Sequence, residues 1–428
     1  MKVLVIGSGL TGLTSAWYLR RQGHEVAVVD RAHGPGLETS FANGAMLTPS
    51  MAEPWNAPGS WRTLLSSLGR PDAAMQLRLR AVPSLIGWGP RFLWNARAAA
   101  FTRNARANLR LALASLDAME ELQAQLAIDF GQRKTGALRI FRDEAPLDLA
   151  YSAAARRADE GLTCTRLTRD ETVSLEPGLA PIADGLQGSI FYPVDQIGDA
   201  YRFCVGLAAR AAADGVAFHH NTVVTGIDMR AGRVAAVDTD HGPLTADCYL
   251  VAAGSYSVPL LHSAGVTLPV RPAKGYSMTF ADRVDKPSLR VPVVDDALHA
   301  VLVPLEGAIR VAGTAEFAGY DLSLPRRRTR NLLGLVDAIL PWAGLDPAQA
   351  MPWCGLRAMS VDGVPIIGAT GPSNLFVNSG HGHLGWTMAA ASGRLVAELM
   401  SGAPPSVDPA AYAFARFGAR RRSSHAVL

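Results

Sequence analysis

Residues 2–12 read KVLVIGSGLTG, and residues 25–30 read EVAVVD. KVLVIG is short and rich in β-branched residues, the composition of a parallel strand buried on both faces. Leu10, Leu13 and Trp17 then recur at helical spacing, and Gly23 supplies a stop. EVAVVD is a second buried strand. The reading is a βαβ unit of about 30 residues, starting at the first strand.

Gly7-Ser8-Gly9-Leu10-Thr11-Gly12 has the GxGxxG spacing. Alone the pattern is weak, because glycine-rich triplets are common. Here it follows a strand, opens a helix, and is followed by Asp30 at the end of the next strand. Gly7 permits the tight turn, Gly9 lets the backbone approach a pyrophosphate, and Gly12 allows close helix–strand packing. The helix N-terminus offers free N–H groups and partial positive charge to phosphates. Asp30 can accept from ribose hydroxyls, and its charge disfavours a 2′-phosphate. The fingerprint does not separate NAD from FAD.

The 428-residue chain is 18% charged, below the ~25% usual for soluble domains, and 49% hydrophobic. That composition excludes disorder and supplies a large core. No stretch reaches the ~18 uninterrupted apolar residues of a membrane span. MKVLVIGSGL runs directly into a glycine-rich turn, so no secretory signal is expected. The net charge of +4 is too small to argue for nucleic acid. Its lysines are Lys2, Lys134, Lys274 and Lys286, and every other basic residue is arginine. Cys164, Cys204, Cys248 and Cys354 are far apart, with no CxxC pair or zinc spacing, so no metal is expected and a reducing cytoplasm fits best.

Further along, residues 34–60 read as loops and 62–128 as mostly helical. Residues 136–195 alternate short strands and turns, and 199–214 form another helix ended by Gly215. DCYLVAAG (247–254) is similar to a late parallel strand of a dinucleotide fold. Residues 267–317 carry strand-like runs of a second, largely antiparallel sheet. The end of the chain, from residue 374, reads strand, glycine-rich turn, helix. Cofactor-type pieces therefore lie at the start, middle and end, which implies two interleaved domains.

IGSGLTGLTSAWYL (6–19), ETSFANGA (38–45), APGS (57–60), VAAGSYS (251–257), RPAKGYSMT (271–279), GTAEFAGYD (313–321), GLRAMSVDGVPIIG (355–368) and SGHGHLGWTMAAASG (379–393) together carry a family resemblance. The chain resembles the D-amino-acid oxidase-like superfamily of FAD enzymes, and most closely its bacterial D-amino acid dehydrogenase branch. The resemblance implies an α/β fold: a Rossmann-type FAD-binding domain (1–60, 196–265 and 350–428) interleaved with an α+β substrate domain on a mostly antiparallel sheet (61–195 and 266–349). It implies non-covalent FAD and oxidation of an amine carbon next to a carboxylate. The cofactor set it implies is Gly7, Ser8, Gly9, Leu10, Thr11, Gly12, Asp30, Arg31, Ser40, Asn43, Gly44, Ala45, Val224, Ala253, Gly254, Gly382, His383, Leu384, Gly385 and Trp386.

For the substrate, the resemblance singles out Arg357 in the GLR motif, whose guanidinium fork matches a carboxylate bidentately. Tyr276 either caps the pocket or packs in the core. His383, where family members often have threonine, either donates to the flavin C2 carbonyl or points to solvent. Lys274 either reaches the flavin edge or forms a structural ion pair. His381 reads as a turn residue and Cys354 as a buried thiol.

Ala297-Leu298-His299 departs from the branch's Thr-Tyr-Lys-like run, which makes room for D-proline or a hydroxy-D-proline. The resemblance also implies electron transfer to a respiratory quinone or another non-oxygen acceptor. The alternative is a non-catalytic flavoprotein subunit, or the flavoprotein subunit of a heteromeric dehydrogenase that passes electrons to a partner. Arg416, Arg420, Arg421 and Arg422 form a cluster suited to an anionic membrane surface, at the inner face of the cytoplasmic membrane, or else a solvated tail.

Overall fold

A computed structural model describes residues 1–60, 75–281 and 289–418. The first strand, Lys2–Ile6, leads into a helix, Leu10–Arg21, and a parallel strand, Glu25–Val29. Val3 lies opposite Val26 and Val5 opposite Val28. Cys248–Val251 joins the other edge of the first strand, also in parallel. The sheet has six strands in the order Ile366–Ala369, Leu375–Ser379, Cys248–Val251, Lys2–Ile6, Glu25–Val29, Ala217–His219. Only the Ile366–Ala369 pairing is antiparallel.

Successive strand residues point to opposite faces, and both faces are covered. Val3, Val5, Val26 and Val28 pack against Leu13, Trp17, Phe203 and Leu395, which come from three helices. Those helices are Leu10–Arg21, Ala200–Ala213 and Gly385–Ser401. Leu4, Ile6, Val29 and Val251 pack on the other side against Ile227, Val234 and Val237 of a β-hairpin. The first and last helices touch closely because Gly393 has no side chain to strike Thr14. Thr14 Oγ1 donates to the Ala389 carbonyl across that contact (2.9 Å).

The second sheet runs Met351–Ser360, Val270–Ala281, Ala308–Phe317, Ala300–Leu305, Val293–Asp295, Ala137–Phe141, Gly188–Tyr192, Thr165–Thr168. Met75–Leu77 adds a ninth strand beside Ala308–Phe317. Pairing is antiparallel except at that strand and between Val293–Asp295 and Ala137–Phe141. The helix Arg326–Ile339 covers one face, with Leu332, Val336 and Ile339 packed on Met278 and Val311.

Two elements cross the boundaries expected from the sequence. The helix Ala98–Leu126, expected with the substrate domain, buries Leu111, Leu116, Met119 and Leu122 in the same core as Leu13 and Leu395. Met351–Ser360, expected with the first domain, pairs along Val270–Ala281 and so belongs to the second sheet. Both placements are decided by pairing partners distant in sequence. Residues 62–74 of the expected helical stretch lie outside the described residues, as do Arg420, Arg421 and Arg422. Among the described residues, no helix is long and apolar enough to cross a membrane.

Candidate active site

The two sheets share one cavity of about 1210 Å³. At one end Gly7, Gly9, Leu10 and Thr11 line it, with Asp30, Arg31, Val224, Ala253 and Gly254 alongside. Gly7 has φ +111°, a conformation that side chains reject, and a Cβ there would lie 2.7 Å from the Ala252 carbonyl oxygen. A Cβ on Gly12 would be driven into the Gly7 carbonyl. Gly9 caps the helix in extended conformation with no side-chain cap, leaving first-turn N–H groups for a ligand. Leu10 N–H instead donates to Ser40 Oγ (3.2 Å). Bare backbone at a helix N-terminus, opening on a long cavity, fits the diphosphate of FAD.

Asp30 is held as a rigid acceptor. Its Oδ2 takes Ser8 N–H (2.6 Å) and Ser8 Oγ–H (2.8 Å), and Oδ1 takes Ala32 N–H (2.8 Å). The Arg31 guanidinium lies 3.8 Å from the centre of the Tyr256 ring and pairs with Glu38. Ser40, Asn43 and Gly44 continue the cavity wall, and Gly382, His383, Gly385 and Trp386 line it at the start of the last helix.

Four expected cofactor residues lie behind the wall. Ser8 is buried under Asp30, and Gly12 is spent on helix–strand packing. Ala45 is buried, and its carbonyl is taken by Gly198 N–H (2.9 Å). Leu384 belongs to the core beneath the sheet. Trp386 shows the cavity only part of itself. Its indole N–H donates to the Gly198 carbonyl (3.1 Å), and its ring packs between Phe130 and Phe203.

Arg357 reaches the other end of the cavity from the Met351–Ser360 strand. Its guanidinium crosses to the neighbouring strand and occupies the space that a side chain on Gly275 would fill. Trp55 lies beside it, with the ring centre 5.4 Å from Cζ. No carboxylate pairs with Arg357 among the described residues, and Nη1 is enclosed without a partner. Burial lowers its pKa to about 10, which still leaves a cation at neutral pH. A buried cation without a counter-ion is costly, and an incoming carboxylate removes that cost.

A β-bulge shapes this end. Gly275 pairs with Ala315 and Tyr276 with Gly313, so Thr314 is the extra residue. Its φ is +57°, a strain of order 1–3 kcal/mol for such a residue. Thr314 lines the cavity. The Tyr276 ring does too, but its hydroxyl donates to Glu316, which also binds Arg78. That hydroxyl is therefore committed to Glu316, and burial followed by the Glu316 bond raises its pKa. Lys274 forms a structural contact: its ammonium donates to the Ser323 carbonyl and lies 3.7 Å from Asp321. Cys354 Sγ donates to the Leu322 carbonyl (3.2 Å), and burial raises its pKa.

His383 Nε2 lies 3.0 Å from the Met51 carbonyl, which can only accept. Burial, together with nearby Arg357, lowers the His383 pKa to about 4, so the ring is neutral at pH 7. Its one N–H is thus committed to Met51. The sequence expectation that His383 donates to the flavin C2 carbonyl fails on this proton count. Trp55 stacks on the imidazole with centres 5.4 Å apart and planes 21° apart. His381 is buried, and burial lowers its pKa to about 3.

Sequence reasoning missed Trp55, Thr314 and the Ser50–Asp195 pair. Asp195 is buried at the cavity wall and accepts from Ser50 N–H (3.2 Å) and Ser50 Oγ–H. Burial raises its pKa to about 7 despite those bonds. Trp55, Ser50 and Asp195 lie outside the quoted motifs, and Thr314 lies within GTAEFAGYD (313–321), whose sequence does not show the bulge that cross-strand pairing creates there. Ala297, Leu298 and His299 do line the cavity. Arg416 is bound to Asp362 through Nε (2.8 Å) and Nη2 (3.1 Å).

The sequence matches the FAD dependent oxidoreductase family, DAO, over residues 2–399. It is 42% identical over 409 residues to a D-amino acid dehydrogenase of Paramagnetospirillum magneticum, covering 95% of this chain and 97% of that protein. A D-amino acid dehydrogenase of Allorhizobium ampelinum is 40% identical over 421 residues, covering 98% of this chain and all of that protein. Glycine oxidase from Geobacillus kaustophilus shares the fold at TM-score 0.75 with 23% identity, covering 96% of this chain and 97% of that one. With the glycine cradle, the long cavity and a match across nearly the whole chain, the protein belongs to the DAO family of FAD-dependent oxidoreductases.

Proposed function

We propose that this protein is an FAD-dependent dehydrogenase of D-amino acids. It takes two electrons and two protons from the Cα–N unit, giving an imino acid, which for a primary amine water converts to a 2-oxo acid and ammonia. The observation that carries the reading is Arg357, a cation at the end of the cavity with no carboxylate on it among the described residues. The names of the two bacterial relatives support the same substrate class.

Bound FAD supplies the two-electron acceptor. Arg357 binds the substrate carboxylate and fixes the position of Cα. Trp55, stacked on His383 and beside Arg357, keeps water from the reacting carbon. The uncapped N-terminus of Leu10–Arg21 would hold the diphosphate of bound FAD, and Asp30 would accept from its ribose. The proposed cofactor contacts are the lining residues named above other than His383, and Ser8, Gly12, Ala45 and Leu384 support them from behind. Ala297, Leu298 and His299 form part of the wall, so a cyclic amine such as D-proline belongs in the substrate set.

The electrons pass to a quinone or another non-oxygen acceptor, at the surface of a membrane. Leu79, Ile86 and Trp94 support this reading, being 86%, 70% and 64% exposed in one chain segment. The Arg97 guanidinium lies 3.5 Å from the centre of the Trp94 ring, a pairing suited to an anionic lipid interface.

Anaerobic addition of D- and L-amino acids, both prolines included, tests the activity. D-Amino acids should bleach the flavin, and bleaching by none of them refutes the reading. Reoxidation should be slow in air and fast with a soluble quinone. Anionic vesicles should sediment the protein, and Trp94→Ser should weaken that binding.

A further inference from the structure

Tyr276, Thr314 and His383 each bring a polar side-chain atom to the cavity that holds Arg357. Tyr276 has its hydroxyl committed to Glu316. Thr314 Oγ1 has no partner but is enclosed by protein. His383 differs from both. Its Nε2–H is fixed on the Met51 carbonyl, so Nδ1 must carry the lone pair. Nδ1 has no partner among the described residues, and the half-buried ring is part of the cavity wall. The ring is held by Trp55, which also flanks Arg357.

We propose that His383 Nδ1 accepts a hydrogen bond from the α-amino group of the substrate whose carboxylate lies on Arg357. The inference rests on the amino acid reading above and deepens it. A cation and a neutral acceptor at two fixed points match a carboxylate and an amine on one carbon. Two fixed substituents leave the hydrogen and the side chain to be told apart by a third contact, the cavity wall, so His383 contributes to the choice of enantiomer together with that wall. The lowered basicity of the ring suits this role, because the site gains no second cation beside Arg357.

The test uses the flavin-loaded protein. His383→Leu should raise KM for the best D-amino acid by 10- to 100-fold and shrink its preference over the L-enantiomer. His383→Asn, which keeps an acceptor, should recover part of both. Propionate, a carboxylate without an amine, should bind the wild type and His383→Leu within about twofold. The flavin reduction potential should not move.

Two results would overturn the proposal: equal weakening of propionate and the amino acid, or a shifted potential with unchanged enantiomer preference. The second would place Nδ1 on the flavin instead. Because a variant can fold poorly, the wild type provides a second measurement. With ¹⁵N-histidine, the His383 Nδ1 resonance should move on adding a non-reducing amino acid analogue and stay put with propionate. Movement with both, or with neither, refutes the contact. If D-amino acids fail to bleach the wild type at all, it is the functional reading that falls, and the two failures are distinguishable.

Discussion

A side chain on Gly275 and the guanidinium of Arg357 compete for the same space. The missing Cβ on one strand is what lets the cation of the next strand lie flat over it. Gly275→Ala should therefore push Arg357 out of register. KM for a D-amino acid should rise by at least tenfold, while flavin content stays near that of the wild type. Steady-state kinetics with absorbance-based flavin quantitation checks both halves.

Arg357→Met removes the cation but keeps much of the bulk. A charge-assisted bond to a carboxylate contributes about 1.5–3 kcal/mol, so KM should rise roughly 10- to 150-fold. Binding of propionate should weaken in parallel. An unchanged propionate affinity would remove Arg357 from the carboxylate site.

Gly12→Ala drives a methyl group into the Gly7 carbonyl. The turn has little room to relax, because Gly7 is itself closed in by Ala252. Overpacking of this kind costs about 1–3 kcal/mol. The variant should lose bound flavin as well as melting temperature. Flavin retention on gel filtration measures the first, and calorimetry the second.

Asp195 has its pKa raised to about 7 by burial. The folded state then holds a proton that the unfolded state releases near 3.9. That contribution to stability is full below the unfolded value and is lost as pH rises to about 7. Asp195→Asn has no such titration. Its stability relative to the wild type should improve by on the order of 3–4 kcal/mol between pH 3.5 and 8. Urea unfolding at both ends, with wild type and variant side by side, provides the comparison.

His381 behaves in the opposite sense. Burial lowers its pKa to about 3, while the unfolded histidine titrates near 6.5. The unfolded chain binds more protons in that window, so stability falls as pH drops below about 6.5. At pH 5 the penalty is about 2 kcal/mol. His381→Asn should lose less stability than the wild type between pH 7.5 and 5, and an equal loss would show that His381 does not titrate in this way.

Much of the nucleotide end was legible because its rules are local. Gly7 turns the chain at φ +111°, Gly9 leaves the helix start uncapped and Gly12 meets the Gly7 carbonyl, all within one short stretch, and Asp30 follows at the end of the next strand. The substrate end was legible only in part. Arg357 stood out by resemblance, yet the reason its guanidinium has room is Gly275 on another strand. Trp386 read as a cofactor contact, whereas Phe130, Phe203 and the Gly198 carbonyl hold most of its indole in the core.

The sequence by itself determined the βαβ start, the glycine cradle and the second sheet. Those features follow from side-chain size and a period of two or 3.6 residues along a continuous stretch. Tertiary structure alone decided the single proton of His383, the bulge at Thr314 and the strand on which Arg357 rests. Each depends on the register between segments tens to hundreds of residues apart, and register is fixed by packing rather than by any nearby residue.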